Sequence, residues 1–357
     1  MVRNEFKLWI YTKYLLPSKR FLLTIHTLTD TQLKSLDTLT DKAIKSWAGL
    51  PPSATNALIH MPEGLDVKSI SEMYKEVHTV SHTRTRLKGD HIVNSAINAT
   101  IQRESEYTHK KSTCIEAETV YKVALESNTT LGQVPNFTGA QAGKLKHKFS
   151  EDVTNSVKAA LNVERRQKWE EHVKSLTVQG HNLALAAAER QDLVWKSFMY
   201  DLKQGTLKFL LNAGIDTLPT AANLKRWKKS PSDLCKLCRC RQTTDHVLSN
   251  CKMALDSGRY TWRHKYSHFA TDIIELKCKV NCFEVSTKGF LNTRNHSTLN
   301  ELHKFVKNDI SRSQFKSNIS ALCLTASYHI FLCKDEPVFQ EPPYLLPPLV
   351  TKKATAS

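Results

Sequence analysis

A chain of 357 residues, 40% of them hydrophobic, can bury a sizeable core in two or three units, which excludes wholesale disorder. Its 51 Lys and Arg against 34 Asp and Glu leave a formal charge of +17, an excess that favours polyanionic partners because each neutralised phosphate releases counterions. With 11 glycines, no secretory signal and no apolar run near the roughly 20 residues of a membrane span, a turn-rich all-β chain, a secreted one and a membrane partner are all disfavoured.

The first helix with clear punctuation follows Thr29. Thr29 and Gln32 have capping-box spacing, Leu33, Leu36, Ile44 and Trp47 recur at helical intervals, and Gly49, Pro51 and Pro52 stop the run. Residues 66–88 read as a second helix, starting at Asp66 and ending near Gly89, with His78, His82, Arg84, Arg86 and Lys88 on a polar side. That side is either solvated or in contact with a nucleic-acid backbone. Residues 91–127 are helical with a break near Lys110–Thr113. Asn128, Gly132, Pro135, Asn136, Gly139 and Gly143 then mark a hinge over 128–143, the preferred internal boundary. Helices follow over 150–177, with Ser150 as N-cap before Glu151 and Asp152, and over 181–203, where Leu193 to Leu202 pack a dense core face. The final 21 residues hold five of the 12 prolines, so 335–357 is read as a disordered tail.

Between Ala222 and Arg241 the sequence turns basic: Lys225, Arg226, Lys228, Lys229, Lys236, Arg239 and Arg241 face only Asp233, and Trp227 sits among them. The spacing Cys235-x2-Cys238-x7-His246-x4-Cys251 begins inside this run. In a reducing compartment, nuclear or cytoplasmic, clustered cysteines hold metal more often than they pair. A CxxC turn presents two thiolates to one tetrahedral ion, and the later His and Cys close the site. Thiolates and imidazole suit zinc; four protein ligands leave no open position, so the ion is structural and supplies folding free energy to a short segment. Cys240 could replace Cys238, although the x2 spacing favours Cys238. A second site from His264, His268, Cys278 and Cys282 lacks such punctuation.

The stretch Thr206–His264 resembles the zinc-binding segment downstream of the polymerase in non-LTR (LINE-type) retrotransposon reverse transcriptases. The matching pieces are LNAGIDTLPTAANLKRW, C-x2-C, H-V-L-x2-C and GRYTWRH. Arg20–Gly49, followed by LPPSAT, is similar to the thumb of those polymerases, with Lys45-Ser46-Trp47-Ala48-Gly49-Leu50-Pro51 as its K-x-W-x-G-L-P element. Phe283–Lys334 resembles their far C-terminal domain, so the resemblance touches most of residues 6–338. It implies a thumb-like helical region over 1–90, a helical connection over 91–218 and a basic zinc-binding segment over 219–264. A shortened C-terminal domain over 265–334 and the tail over 335–357 complete it.

Polymerisation in that family needs paired palm carboxylates to clamp the reacting oxygens through two metal ions. This chain has no Asp-Asp pair, so no polymerase activity is expected of it. The expected fold is mainly α and multi-helical, with a small Cys3His zinc-binding segment, a short α/β C-terminal piece and the disordered Pro-rich tail. The expected function is zinc-dependent binding of RNA or DNA backbone through Lys225, Arg226, Lys228, Lys229, Arg239 and Arg241. Trp227 would either stack on a base or pack on the zinc loop. The alternatives are a relic of a decayed element, a domesticated binding protein, or a remnant nuclease built on Glu275-x-Lys277 with Asp256 or Asp272.

Overall fold

The computed structural model describes residues 4–107, 113–129, 135–188, 193–263, 299–300, 303 and 311–340. The fold they form is multi-helical, and among them the sole strand-like pairing is one antiparallel bridge, Leu234 with Arg241. Residues 265–298, the first part of the expected α/β C-terminal piece, lie outside the described residues, as does the chain beyond residue 340.

The chain opens with α1 (Asn4–Ile10), a wide turn over Tyr11–Leu15, a short turn Leu16–Ser18, and α2 (Arg20–Ile25). None of these has a side-chain cap among the described ends, which leaves little sequence punctuation to find them by. Helix α3 (Asp30–Ala48) has the expected capping box: Thr29 accepts from Gln32 N, and the Gln32 side chain accepts from Thr29 N. It ends where Gly49 takes φ 67°, a left-handed angle, with Lys208 against its missing Cβ. After the turn α4 (Ala57–His60), helix α5 (Ile70–Lys88) starts four residues later than Asp66 suggests. The reason is local: Ser69 and Glu72 form a second capping box, whereas Asp66 sits at φ 55° in the preceding loop.

Helices α6 (His91–Tyr107) and α7 (Thr113–Asn128) follow; of the break expected near Lys110–Thr113, residues 110–112 lie outside the described residues. Helix α8 (Ala142–Ser175) begins eight residues before Ser150, because no helix breaker lies between Gly143 and Ser150 to stop it. Glu151 and Asp152 therefore lie inside the helix and not in its first turn. The stretch 181–203 is not one helix: α9 (His181–Ala188) and the single turn α10 (Trp195–Phe198) are separate. The apolar face is core as expected, with Trp195, Phe198, Met199 and Leu202 buried.

Two clusters organise the packing. Val80, Leu87, Tyr121, Ala124, Val153 and Val157 hold α5, α7 and α8 together. The larger core gathers α1, α3, α4, the end of α8 and α11 (Gln204–Gly214), whose Leu207, Phe209, Leu210 and Leu211 are buried. Asn212 ties this hub to the first helices by donating to the Gly49 carbonyl at 3.3 Å. Helices α12 (Ala221–Arg226), α13 (Lys252–Asp256) and α14 (Arg312–Leu332) complete the fold. Ser311 caps α14, a helix that lies where only an α/β remnant was expected.

Candidate metal centre

The platform for the site is α12. Thr220 caps it by accepting from Asn223 N, and buried Asn223 donates to the carbonyls of Asp216 (2.9 Å) and Leu218 (2.8 Å). The helix ends with Lys228 N bonded to Lys225 O and Lys229 N to Leu224 O, and Lys228 takes the left-handed φ of 58° that this ending requires. Gln242, 1% exposed, fastens the next turn to α12: its side-chain oxygen accepts from Ala221 N and its backbone oxygen from Ala222 N.

Residues 233–242 form a tight hairpin around the CxxC. Cys235 N donates to Cys240 O at 2.7 Å, Arg239 N to Cys235 O at 3.0 Å, and Gln242 N to Asp233 O at 2.8 Å. Arg239 turns the chain at φ 63°. Thr243 Oγ1 then accepts from His246 N, opening a wide turn over His246–Asn250 that delivers Cys251.

This local folding brings Cys235, Cys238, His246 and Cys251 together, with one ligand atom from each, all within 4.8 Å of one another. Cys238 Sγ and His246 Nε2 are 3.2 Å apart. Cys235 and Cys251 are 1% and 3% exposed, His246 is buried and Cys238 is half-buried, and these four residues could hold a metal ion. Burial, reinforced by the sulfurs of Cys238 and Cys235, pushes the Cys251 thiol up to about 11. Burial also lowers His246, which favours the neutral imidazole that ligation needs. Cys240, the rival ligand, is exposed and contributes its backbone carbonyl to the hairpin.

The walls of the site come from GRYTWRH and from α14. Tyr260 OH accepts from Cys251 N (3.1 Å) and lies 3.1 and 3.0 Å from the carbonyls of His246 and Val247. Arg263 donates to Leu248 O at 2.6 Å. Arg259, 1% exposed, donates to Cys333 O at 2.6 Å and to Glu336 O, and lies over the Phe339 ring. Trp262, His329 and Phe339 form a three-way ring contact, while Ala326 and Ile330 of α14 join the cysteines in one apolar cluster. Residues 335–340, placed in the tail by composition, thus cover the site. Asp335 also accepts from Gln242 and pairs with Lys236. None of these wall residues carries a metal-ligand signature, so a motif search passes over them.

The basic run is divided. Lys225 pairs with Asp233 at 2.8 Å, and Arg241 approaches the same carboxylate at 3.7 Å. Arg226 lies 3.9 Å from Asp216. Lys228, Lys229 and Arg239 are exposed and make no ion pair among the described residues. Trp227 is 36% exposed at the end of α12. The polar side of α5 is mostly engaged internally: His78 meets Leu23 O at 2.8 Å, and His82 and Arg86 share Glu118. His264, His268, Cys278 and Cys282, and also Asp272, Glu275 and Lys277, lie outside the described residues, whereas Asp256 is exposed at the end of α13. Compared with protein-family models and with curated proteins, the chain matches none.

Proposed function

We propose that this chain is a non-catalytic nucleic-acid-binding protein whose basic segment is folded around one structural zinc ion. The observation that carries the reading is the junction at α12 and the hairpin. A largely buried Cys3His cluster lies beside an exposed set of cations, Lys228, Lys229 and Arg239, that make no ion pair among the described residues. Three thiolates and an imidazole are a soft, closed donor set that suits zinc. Tetrahedral zinc with sulfur bonds of about 2.3 Å sets its sulfurs about 3.8 Å apart, which is compatible with ligand atoms within 4.8 Å. When bound, the ion supplies folding free energy; the chain's own residues do the gripping. The hairpin and α12 hold the cations in place, and phosphate oxygens accept from them with little dependence on base sequence.

The resemblance to the region downstream of the polymerase in non-LTR retrotransposon reverse transcriptases fits this reading. It makes element RNA or target DNA the natural ligand, and an intracellular setting the natural one. Among the described residues, no helix is long and apolar enough to cross a membrane.

The test has two parts. Metal analysis after purification in reducing buffer with zinc should give one zinc per chain, lost in Cys235→Ser and kept in Cys240→Ser. Log affinity for duplex DNA against log salt should fall with a slope of about −3 if only Lys228, Lys229 and Arg239 contact phosphate, and more steeply if others join. A flat slope or zinc-free protein overturns the proposal.

A further inference from the structure

Helix α8 is 34 residues long, about 50 Å at 1.5 Å per residue. Its two ends have different surroundings. Near the C-terminal end, Trp169 and Val173 enter the same core as Val247 and Leu248 of the metal segment. At the other end no residue from 142 to 152 is buried. Helix α7 stops at Asn128, which bonds to Ser156, and the last core residue of α5, Leu87, clusters with Val153. Apart from Phe149, which packs on that cluster and on Phe137, the first two turns of α8 therefore project past both neighbouring helices.

On that overhang Lys144, Lys146, His147 and Lys148 are all exposed, and the three lysines make no ion pair among the described residues. Arg84 and Lys88, exposed at the end of α5 and without an ion pair among the described residues, add to the positive charge, while Glu151 and Asp152 lie one turn further along α8. These lysines do nothing visible for the fold. They sit in the first turns of a helix, where the macrodipole disfavours positive charge, and no side chain caps that end.

We propose that Lys144, Lys146 and Lys148 form a second phosphate-contacting surface, engaged by the same nucleic-acid molecule as the metal segment. The inference rests on the nucleic-acid reading above. The lysine side chains, not the helix end, are the contact. Along α8 the lysines lie about 25 residues, or about 37 Å, from Trp169 and Val173, so a duplex reaches both surfaces only if it is longer than about 11 base pairs at 3.4 Å each. Duplexes of that length are much shorter than the persistence length, so they act as rulers. Once one surface is bound, the second contact forms at high effective concentration and raises affinity.

The experiment measures binding of the zinc-loaded full chain to 8- and 24-base-pair duplexes by fluorescence anisotropy, corrected for the number of sites. The longer duplex should bind at least about tenfold tighter per site. In Lys144→Glu/Lys146→Glu/Lys148→Glu that gain should disappear, with affinity for the short duplex kept. The melting temperature should hold or rise, since acids favour a helix N-terminus. A gain that persists in the variant, or no gain in the native chain, overturns this inference while leaving the proposed function standing. Failure to bind either duplex overturns both. Lysine-dependent binding to phosphatidylserine vesicles with no length gain overturns it in favour of a lipid surface.

Discussion

Tyr260→Phe removes a single oxygen from the point where the ligand-bearing turns meet. Tyr260 is 4% exposed, and its hydroxyl accepts from Cys251 N at 3.1 Å while facing the carbonyls of His246 and Val247. Burial pushes the phenol up to about 12, against the lowering effect of the hydrogen bond from Cys251 N, so it stays a donor at any working pH. Phenylalanine keeps the ring's packing but leaves a buried amide at Cys251 without its acceptor. An orphaned buried donor costs about 1–3 kcal/mol, and the carbonyls lose a donor as well, so about 2 kcal/mol is expected. The hydroxyl connects the backbone of two ligands, His246 and Cys251, so the loss falls on the metal-bound state. At 1.4 kcal/mol per factor of ten, that is about a 30-fold weaker metal affinity. Competition against a chromophoric chelator at fixed pH reads this directly and needs no assumption about two-state unfolding. An affinity within about threefold of the native value would refute the claim that Tyr260 holds the ligand turns.

Lys228→Gly and Arg239→Gly should each stabilise the chain by about 1 kcal/mol in urea, because glycine adopts positive φ without strain. Each should also make the salt slope for DNA binding shallower by about 1; lower stability in both would show that the lysine and arginine are there for the fold. For Glu76, burial would raise the carboxyl, but hydrogen bonds and charge from Lys68 and Arg20 outweigh it and hold the group below its usual 4.5. A depressed carboxylate contributes stability above the unfolded value that is lost as pH falls through the folded one. Melting temperature against pH should therefore fall less steeply below about pH 4.5 in Glu76→Gln, and a profile parallel to the native one contradicts the assignment. Gly64→Ala would put a methyl 2.0 Å from the Leu58 carbonyl oxygen, backbone that Leu65 N also holds at 2.8 Å. A loss of about 3 kcal/mol is expected, and near-native stability in urea would show that this loop can open.

Features that depend on a few adjacent residues were legible in the sequence. Thr29 and Gln32 mark α3 because capping is a local contest between side chain and backbone, and the ligand spacing works because a CxxC turn needs only its own residues. The start of α5 was misplaced for an equally local reason: Ser69 with Glu72 is a stronger cap than Asp66 alone. What escaped depends on residues far apart in the chain. The buried guanidinium of Arg259 ends on carbonyls 74 and 77 residues away, and no periodicity announces such a pairing. The polar side of α5 looked solvated or available to a ligand because Glu118 and Leu23, which take up most of it, lie on other helices. Likewise the run 222–241 looked uniformly basic, but Asp233 and Asp216 engage three of its cations.

The metal segment is not a self-contained finger. Its own buried apolar residues are few, and the cluster around Cys235 and Cys251 is completed by Ala326 and Ile330 of α14 and by Phe339 beyond it. Polar groups make the same connection, through Gln242 and Lys236 to Asp335 and through Arg259 to Cys333 and Glu336. Ligand geometry and the seat of α14 therefore stabilise one another. Linkage makes that relation reciprocal: any change that weakens the seating of α14 weakens metal affinity by the factor through which metal loss weakens the seating. The free energy of a bound ion would be spread through α14 to α10 and α11, against which that helix packs. The cations on α12 and the hairpin are thus anchored to the main core, so on the nucleic-acid reading proposed above a phosphate pulling on Lys228 or Arg239 would pull on a body much larger than the segment that carries them.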